Sequence, residues 1–162
     1  MTDAVAIRPV ERADLPAVAD MLARLADHVR PGFKPLADVE SLDRYGPTGL
    51  HLFEALVAVR EGRQVGLCLY TYAFSGWRGR PGIYVQDLYV APSERGSGLG
   101  RALLAAAIGR EAPNGCSFIR LGVDKANAGA IGFYARLGFE IDEDDHEMVI
   151  EEERWGGLLG PP

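Results

Sequence analysis

Apolar residues along the first fifty positions fall into two rhythms. Residues 5–10 read as a short strand, stopped by Pro9 and the polar pair Glu11-Arg12. Leu15, Val18, Met21, Leu22 and Leu25 then recur at helical spacing, with Asp14 placed to cap the helix they predict. Pro31, Gly32 and Pro35 break that helix. Residues 36–45 suit a second, shorter one, and Gly46-Pro47-Thr48-Gly49 closes the segment as a loop.

The pattern then shortens to that of strands. Residues 52–59 and 64–74 flank Glu61-Gly62-Arg63, where glycine makes a tight hairpin inexpensive. The second of these strands is apolar on both faces, with Val65, Leu67 and Leu69 set against Cys68, Tyr70, Tyr72 and Phe74. Such a strand belongs in mid-sheet with helices on either side. A loop over 75–82 leads to a strand over 83–90, and a glycine-rich stretch opens into an Ala/Leu helix over 101–111. Residues 118–123 predict a further strand, 127–137 a helix stopped by Gly138, and 146–151 a last strand. The alternation predicts an α/β (α+β) fold with a mixed sheet.

Composition narrows the function classes. The 162 residues, 48% hydrophobic and 25% charged, suit one globular domain, here residues 1–154, followed by a Gly/Pro-rich tail at 155–162. Cys68 and Cys116 each lie in an apolar stretch and read as small buried hydrophobes rather than a disulfide. His28, His51 and His146 have no tight spacing to a cysteine, so no metal site is expected. A net charge of −6 argues against a nucleic-acid partner and is compatible with drawing in a cation. The first residues lack the pattern of a signal peptide and no apolar run is long enough to span a bilayer, so a cytoplasmic protein without membrane contact is the expectation.

The chemistry concentrates at Arg95-x-x-Gly98-x-Gly100, between an apolar strand and a strong helix. Glycines let the backbone approach a ligand, and free N–H groups at a helix start point at an anion. Arg95 and Arg101 add positive charge, so a phosphate or pyrophosphate is the natural guest. The third glycine of a dinucleotide fingerprint is missing, as is the Gly-Lys-Ser/Thr of a nucleotide triphosphate loop. A plain flexible turn is the remaining reading.

The stretch Asp87-Leu88-Tyr89-Val90-x-Pro92-x-x-Arg95-Gly96-x-Gly98-Leu99-Gly100-x-x-Leu103-Leu104 resembles the acetyl-CoA motif of the GNAT acetyltransferase superfamily. Asn127-x-x-Ala130-Ile131-x-Phe133-Tyr134-x-x-Leu137-Gly138-Phe139 resembles that family's next motif, and Ile7-Arg8-Pro9 with Asp14 resembles its start. The resemblance implies a twisted mixed sheet of about six to seven strands, flanked by helices, whose two central parallel strands (83–90 and 118–123) splay apart. It implies acetyl-CoA as cosubstrate, its pantetheine paired with the main chain of Leu88, Tyr89 and Val90. The pyrophosphate is then expected on the N–H groups of Arg95, Gly96, Ser97, Gly98, Leu99, Gly100 and Arg101. Asn127, Ala130, Phe133, Tyr134 and Arg136 are expected on the far side of CoA.

Within the family, the strand over 84–90 and Tyr72-x-Phe74-x-x-Trp77-x-Gly79 resemble the spermidine/spermine and thialysine acetyltransferase branch, which implies a small cationic amine as acceptor and a homodimer. Tyr134 matches the family's acid tyrosine; a packed aromatic beside CoA is the other reading. Gln86 stands where the branch typically has Glu and cannot take a proton. Asp87 remains, acting through a water, binding an ammonium, or only pairing with an arginine. Strand alternation puts it on the face opposite Gln86, so it does not simply replace the missing carboxylate. Phe74 and Trp77 offer an aromatic wall to a cation, although Trp77 reads equally as a core anchor for its loop. Glu143, in the acidic run 142–145, falls where the branch lines its polyamine pocket; a solvated loop is the plainer reading. An acceptor such as an amino acid, an antibiotic or a protein amino terminus stays open, as does a CoA-binding sensor with weak catalysis.

Overall fold

The computed structural model describes residues 4–144, 147–155 and 158. They form two compact units, Met1–Asn127 and Ala128–Pro162. In the first unit, β1 (Ala6–Pro9) leads through a 3-10 turn (Arg12–Asp14) into α1 (Leu15–Val29), followed by α2 (Val39–Tyr45). Then come β2 (Glu54–Arg60), β3 (Arg63–Ser75), β4 (Arg80–Val90), α3 (Leu99–Glu111) and β5 (Ile119–Leu121). The strands lie in the order β1-β2-β3-β4-β5, antiparallel up to β4, with β5 parallel to β4. The mixed α/β architecture is therefore as the pattern predicts.

Helices cover both faces of the sheet, as the doubly apolar β3 requires. On one face Leu15, Val18, Met21 and Leu22 of α1 pack with Val57, Leu67, Leu69 and Tyr89. On the other, α3 comes so near β3 that a Cβ at Gly66 would sit 3.0 Å from Leu103 and 3.3 Å from Leu99. Glu111, buried at the end of α3, accepts a 2.7 Å hydrogen bond from the Tyr70 hydroxyl and so ties the helix to β3. The β2–β3 connection is a two-residue hairpin, with positive φ at Glu61 (50°) and Gly62 (75°) between the paired Arg60 and Arg63. Burial in the α3-side core pushes the Cys68 thiol up to about 12. Cys116 is half-buried, and both thiols are free. Among the described residues, no helix is long and apolar enough to cross a membrane.

Two expectations change. The sheet has five strands rather than six or seven, and β5 is its edge among the described residues rather than a central strand. The expected strand over 146–151 does not form at 147–151, where Met148 and Val149 are exposed; His146 lies outside the described residues. That segment has only three consecutive apolar residues, flanked by Glu147 and Glu151–Glu153. A strand with neither a partner nor a covered face is not stable in water.

Asp14 is also not a cap for α1: its side chain makes no bond to that helix start. It folds back to accept from the Glu11 N–H at 2.8 Å, which closes the 3-10 turn. The same carboxylate takes two hydrogen bonds from Arg8 (2.6 and 3.0 Å) and one from Gln64 (2.7 Å). Buried at 2% exposure, it joins β1, the turn and β3. Its carboxyl is held down at about 2, first by the Arg8 hydrogen bonds and then by Glu11 and Gln64, against the opposing effect of burial.

An unfolded Asp titrates near pH ~3.9, so the unfolded chain takes up its proton first as pH falls. The stabilisation, about 2.5 kcal/mol, is thus present above pH ~4 and lost as pH drops towards ~2. Asp14→Asn should lower unfolding free energy at pH 7 by about 3 kcal/mol, because Arg8 loses its partner. Denaturant titrations of both proteins at pH 7, 4 and 2 test this; the variant should show the smaller loss over the acid window.

Candidate active site

The β3–β4 ladder slips by one residue: Leu69 pairs with Asp87, whereas Tyr70 pairs with Val85. Gln86 is the extra residue of a β-bulge. Bulges bend and twist the strand that carries them, and the parallel ladder between β4 and β5 ends at Val85–Leu121, just before it. From Gln86 to Val90, β4 runs on with β3 alone, and the outer edge of Leu88, Tyr89 and Val90 pairs with no described strand. Main-chain groups on that edge, apart from the Val90 carbonyl taken by Arg95 Nε, are open to an extended ligand.

The bulge also corrects the expected opposition of Gln86 and Asp87. Asp87 pairs with Leu69 and so lies on the α1 face. Gln86 Nε2 reaches Thr71 Oγ1 at 3.5 Å, and Thr71 alternates onto the same face as Leu69. Two consecutive residues thus share one side. The Asp87 carboxylate is half-buried, has no hydrogen bond or arginine partner among the described residues, and is pushed above the usual carboxylate range by burial. Neither the bulge nor Thr71 stood out in the sequence, because a run such as Tyr84-Val85-Gln86-Asp87-Leu88-Tyr89-Val90 does not show which residue the ladder omits.

Beyond β4, a 3-10 turn (Pro92–Glu94) leads to the glycine loop. Gly96 and Gly98 take φ of 79° and 85°, and Gly98 stands as N-cap of α3, which begins at Leu99 rather than 101. A Cβ at either glycine would meet nothing within 4 Å, so the need is for the left-handed backbone and not for room. The expected nest of seven N–H groups is reduced. Arg95 N–H bonds to Pro92 O (3.4 Å) and Ser97 N–H to Glu94 O (3.3 Å). Those of Gly96, Gly98, Leu99, Gly100 and Arg101 have no acceptor among the described residues. Five N–H groups, a thirteen-residue helix behind them and the exposed Arg95 and Arg101 suit a pyrophosphate. Arg95 also donates from Nε to Val90 O at 3.3 Å, linking loop to strand. Asn127 closes this unit, its N–H bonded to Asp124 O at 2.8 Å.

In the second unit, α4 (Ala128–Arg136) carries Ala130, Phe133, Tyr134 and Arg136. It ends as the sequence predicts, at Gly138 with φ 93°. Phe139 N–H bonds to Tyr134 O (3.1 Å) and Gly138 N–H to Ala135 O (3.0 Å), the reciprocal pair of a Schellman stop. The Tyr134 ring sits edge-on to Phe133 and Phe139, with centroids 5.0 and 5.4 Å apart. A helix end therefore fixes the ring's orientation. Glu143 is exposed, and Asp145 lies outside the described residues.

The two aromatic candidates do not gather around Asp87. Phe74 alternates with Tyr70 and Tyr72 onto the α3 side of the sheet, opposite Gln86 and Asp87. Trp77, in the β3–β4 turn, is wholly exposed and anchors no core. Among the described residues no cluster of His, Cys, Asp or Glu could hold a metal ion.

The chain as a whole is similar to known proteins. The sequence profile of the acetyltransferase (GNAT) family fits residues 22–139. The thialysine N-epsilon-acetyltransferase of Sus scrofa is 30% identical over 167 residues, covering 96% of this chain and 98% of its own. The enzyme of the same name from Bos taurus is 30% identical over 142 residues, 83% of each chain. Among solved structures, an integron cassette protein from the mobile metagenome of V. cholerae superposes with a TM-score of 0.78 at 19% identity, covering 97% of this chain and 98% of its own, a likeness of fold alone. With its family profile spanning most of the sequence, the chain belongs to the GNAT family and is an acetyl-CoA-dependent N-acetyltransferase.

Proposed function

We propose that the acetyl acceptor is the primary amine of a small cation of the diamine or polyamine kind. The observation that carries this reading is Asp87: a half-buried carboxylate without a partner among the described residues, beside the stretch where β4 runs free of β5. A desolvated anion attracts an ammonium more strongly than an exposed one. The two thialysine acetyltransferases, named for an ε-nitrogen acceptor, support the same class at 30% identity.

The loop N–H groups of residues 96 and 98–101, with Arg95 and Arg101, hold the CoA pyrophosphate, and the Leu88–Val90 edge pairs with pantetheine. Asn127, with Ala130, Phe133 and Arg136, serves the far side of the cosubstrate by motif position. An alkylammonium, with a reference pKa near ~10, must shed a proton before it attacks. Asp87 receives that proton, directly or through a water, and Gln86 orients the nitrogen by hydrogen bonding without titrating. The neutral amine then attacks the acetyl carbonyl carbon, and main-chain donors at the β4 edge stabilise the oxyanion. The C–S bond breaks, the thiolate takes the phenolic proton of Tyr134, and the acylated nitrogen sheds its second proton through solvent, which returns a proton to the Tyr134 phenolate; the Tyr134 role rests on its motif position.

Three measurements test this. Thiol release from acetyl-CoA across an amine panel should show turnover with spermidine and thialysine and none with a peptide amino terminus; the reverse order overturns the proposal. Asp87→Asn should lower kcat/KM by about 10²-fold or more. A base works in its deprotonated form, so the wild-type rate falls as pH drops through the raised Asp87 pKa, and that limb should vanish in the variant. Tyr134→Phe should lose about 10²-fold in kcat while CoA affinity measured by calorimetry stays unchanged. Unchanged turnover assigns Tyr134 to packing.

A further inference from the structure

The glycine loop does not stand alone: it rests on the end of the β2–β3 hairpin. Ala58 pairs with Gly66 but Val59 with Gln64, so Val65 is an extra residue in β3. Its carbonyl accepts a 2.9 Å hydrogen bond from Ala91 N–H, where the loop begins. At the same hairpin end, Arg60 grips Glu94 with two parallel bonds, Nε to Oε1 at 2.9 Å and Nη2 to Oε2 at 3.0 Å. Glu94 is only 11% exposed. Its own carbonyl accepts the Ser97 hydroxyl at 2.6 Å and the Ser97 N–H at 3.3 Å, and the next residue is the N-cap Gly98. A chain of contacts thus runs from Arg60 through Glu94 and Ser97 to the open N–H groups of the loop.

Charge gives this chain a second purpose. A carboxylate beside a phosphate nest repels the guest unless it is neutralised, and in a half-buried place water screens it poorly. Arg60 arrives from 34 residues upstream to supply both the compensation and a fixed, two-pronged geometry. We infer that Arg60 is a positioning residue for acetyl-CoA, locking Glu94 so that the 96–101 loop is preformed and electrically fit for pyrophosphate. This rests on the reading that the loop takes the CoA pyrophosphate.

The test compares two acetyl donors, acetyl-CoA and S-acetylpantetheine, which lacks the pyrophosphate, on the full chain with one amine. Arg60→Gln leaves Glu94 uncompensated and should raise KM for acetyl-CoA about tenfold with kcat within about twofold. Glu94→Gln loses only the lock and should raise it about threefold, and the double variant should return to that level. With S-acetylpantetheine all three should match the wild type. An unchanged KM for acetyl-CoA in Arg60→Gln, an equal rise with both donors, or a fall in kcat at constant KM overturns the inference. If the wild type itself uses both donors with the same KM, the pyrophosphate reading falls with it.

Discussion

The extra residue in β4 is the constraint on which the rest of the site depends. A strand cannot follow two neighbours of different direction indefinitely while bending away from one of them. β4 stays with β3 through the bulge and leaves β5 after three paired residues. The separation exposes a row of main-chain groups at Leu88–Val90 and sets Gln86 and Asp87 side by side. Everything proposed for catalysis uses that opening. The helices on either face back this stretch: α1 packs on Tyr89 and Leu67, and α3 packs on Gly66 of the neighbouring β3.

Local features were the legible ones. The helical stripe of Leu15, Val18, Met21 and Leu22, the Glu61-Gly62 hairpin, the glycine loop and the Gly138 stop each carry their signal within a few residues, and each appears where the pattern places it. What escaped is set by distant partners. A bulge depends on which β3 residue meets which β4 residue, and alternation read along β4 alone puts Asp87 on the wrong face. Asp14 looks like a helix cap because Asp before an apolar stripe usually is one; its carboxylate is instead claimed by Arg8 and Gln64, the latter 50 residues away. Phe74 reads as a substrate wall until the ladder assigns it to the other side. The segment at 147–151 has strand-like residues, but a strand needs a neighbour that local composition does not supply.

Two ion pairs of the first unit resemble each other in design. Arg8–Asp14 and Arg60–Glu94 each join a strand to a 3-10 turn through a two-pronged guanidinium–carboxylate contact. A planar fork fixes direction as well as distance, which an ammonium would not. In the first case the turn delivers α1 to the sheet; in the second it delivers the loop that precedes α3. Short turns with few apolar residues have little else to hold them. The fold thus assigns packing to its helices and directional charge to the joints between them.

The β3–β4 ladder has no use for position 86. Leu69–Asp87 and Tyr70–Val85 would be consecutive rungs without it, and no core residue leans on its side chain. Such a position is loosely bound by the needs of folding while standing where β4 parts from β5. Its chemistry is therefore free to drift. A carboxylate and an amide of the same length leave the rungs on either side untouched, so this position can change its charge without changing how β3 pairs with β4.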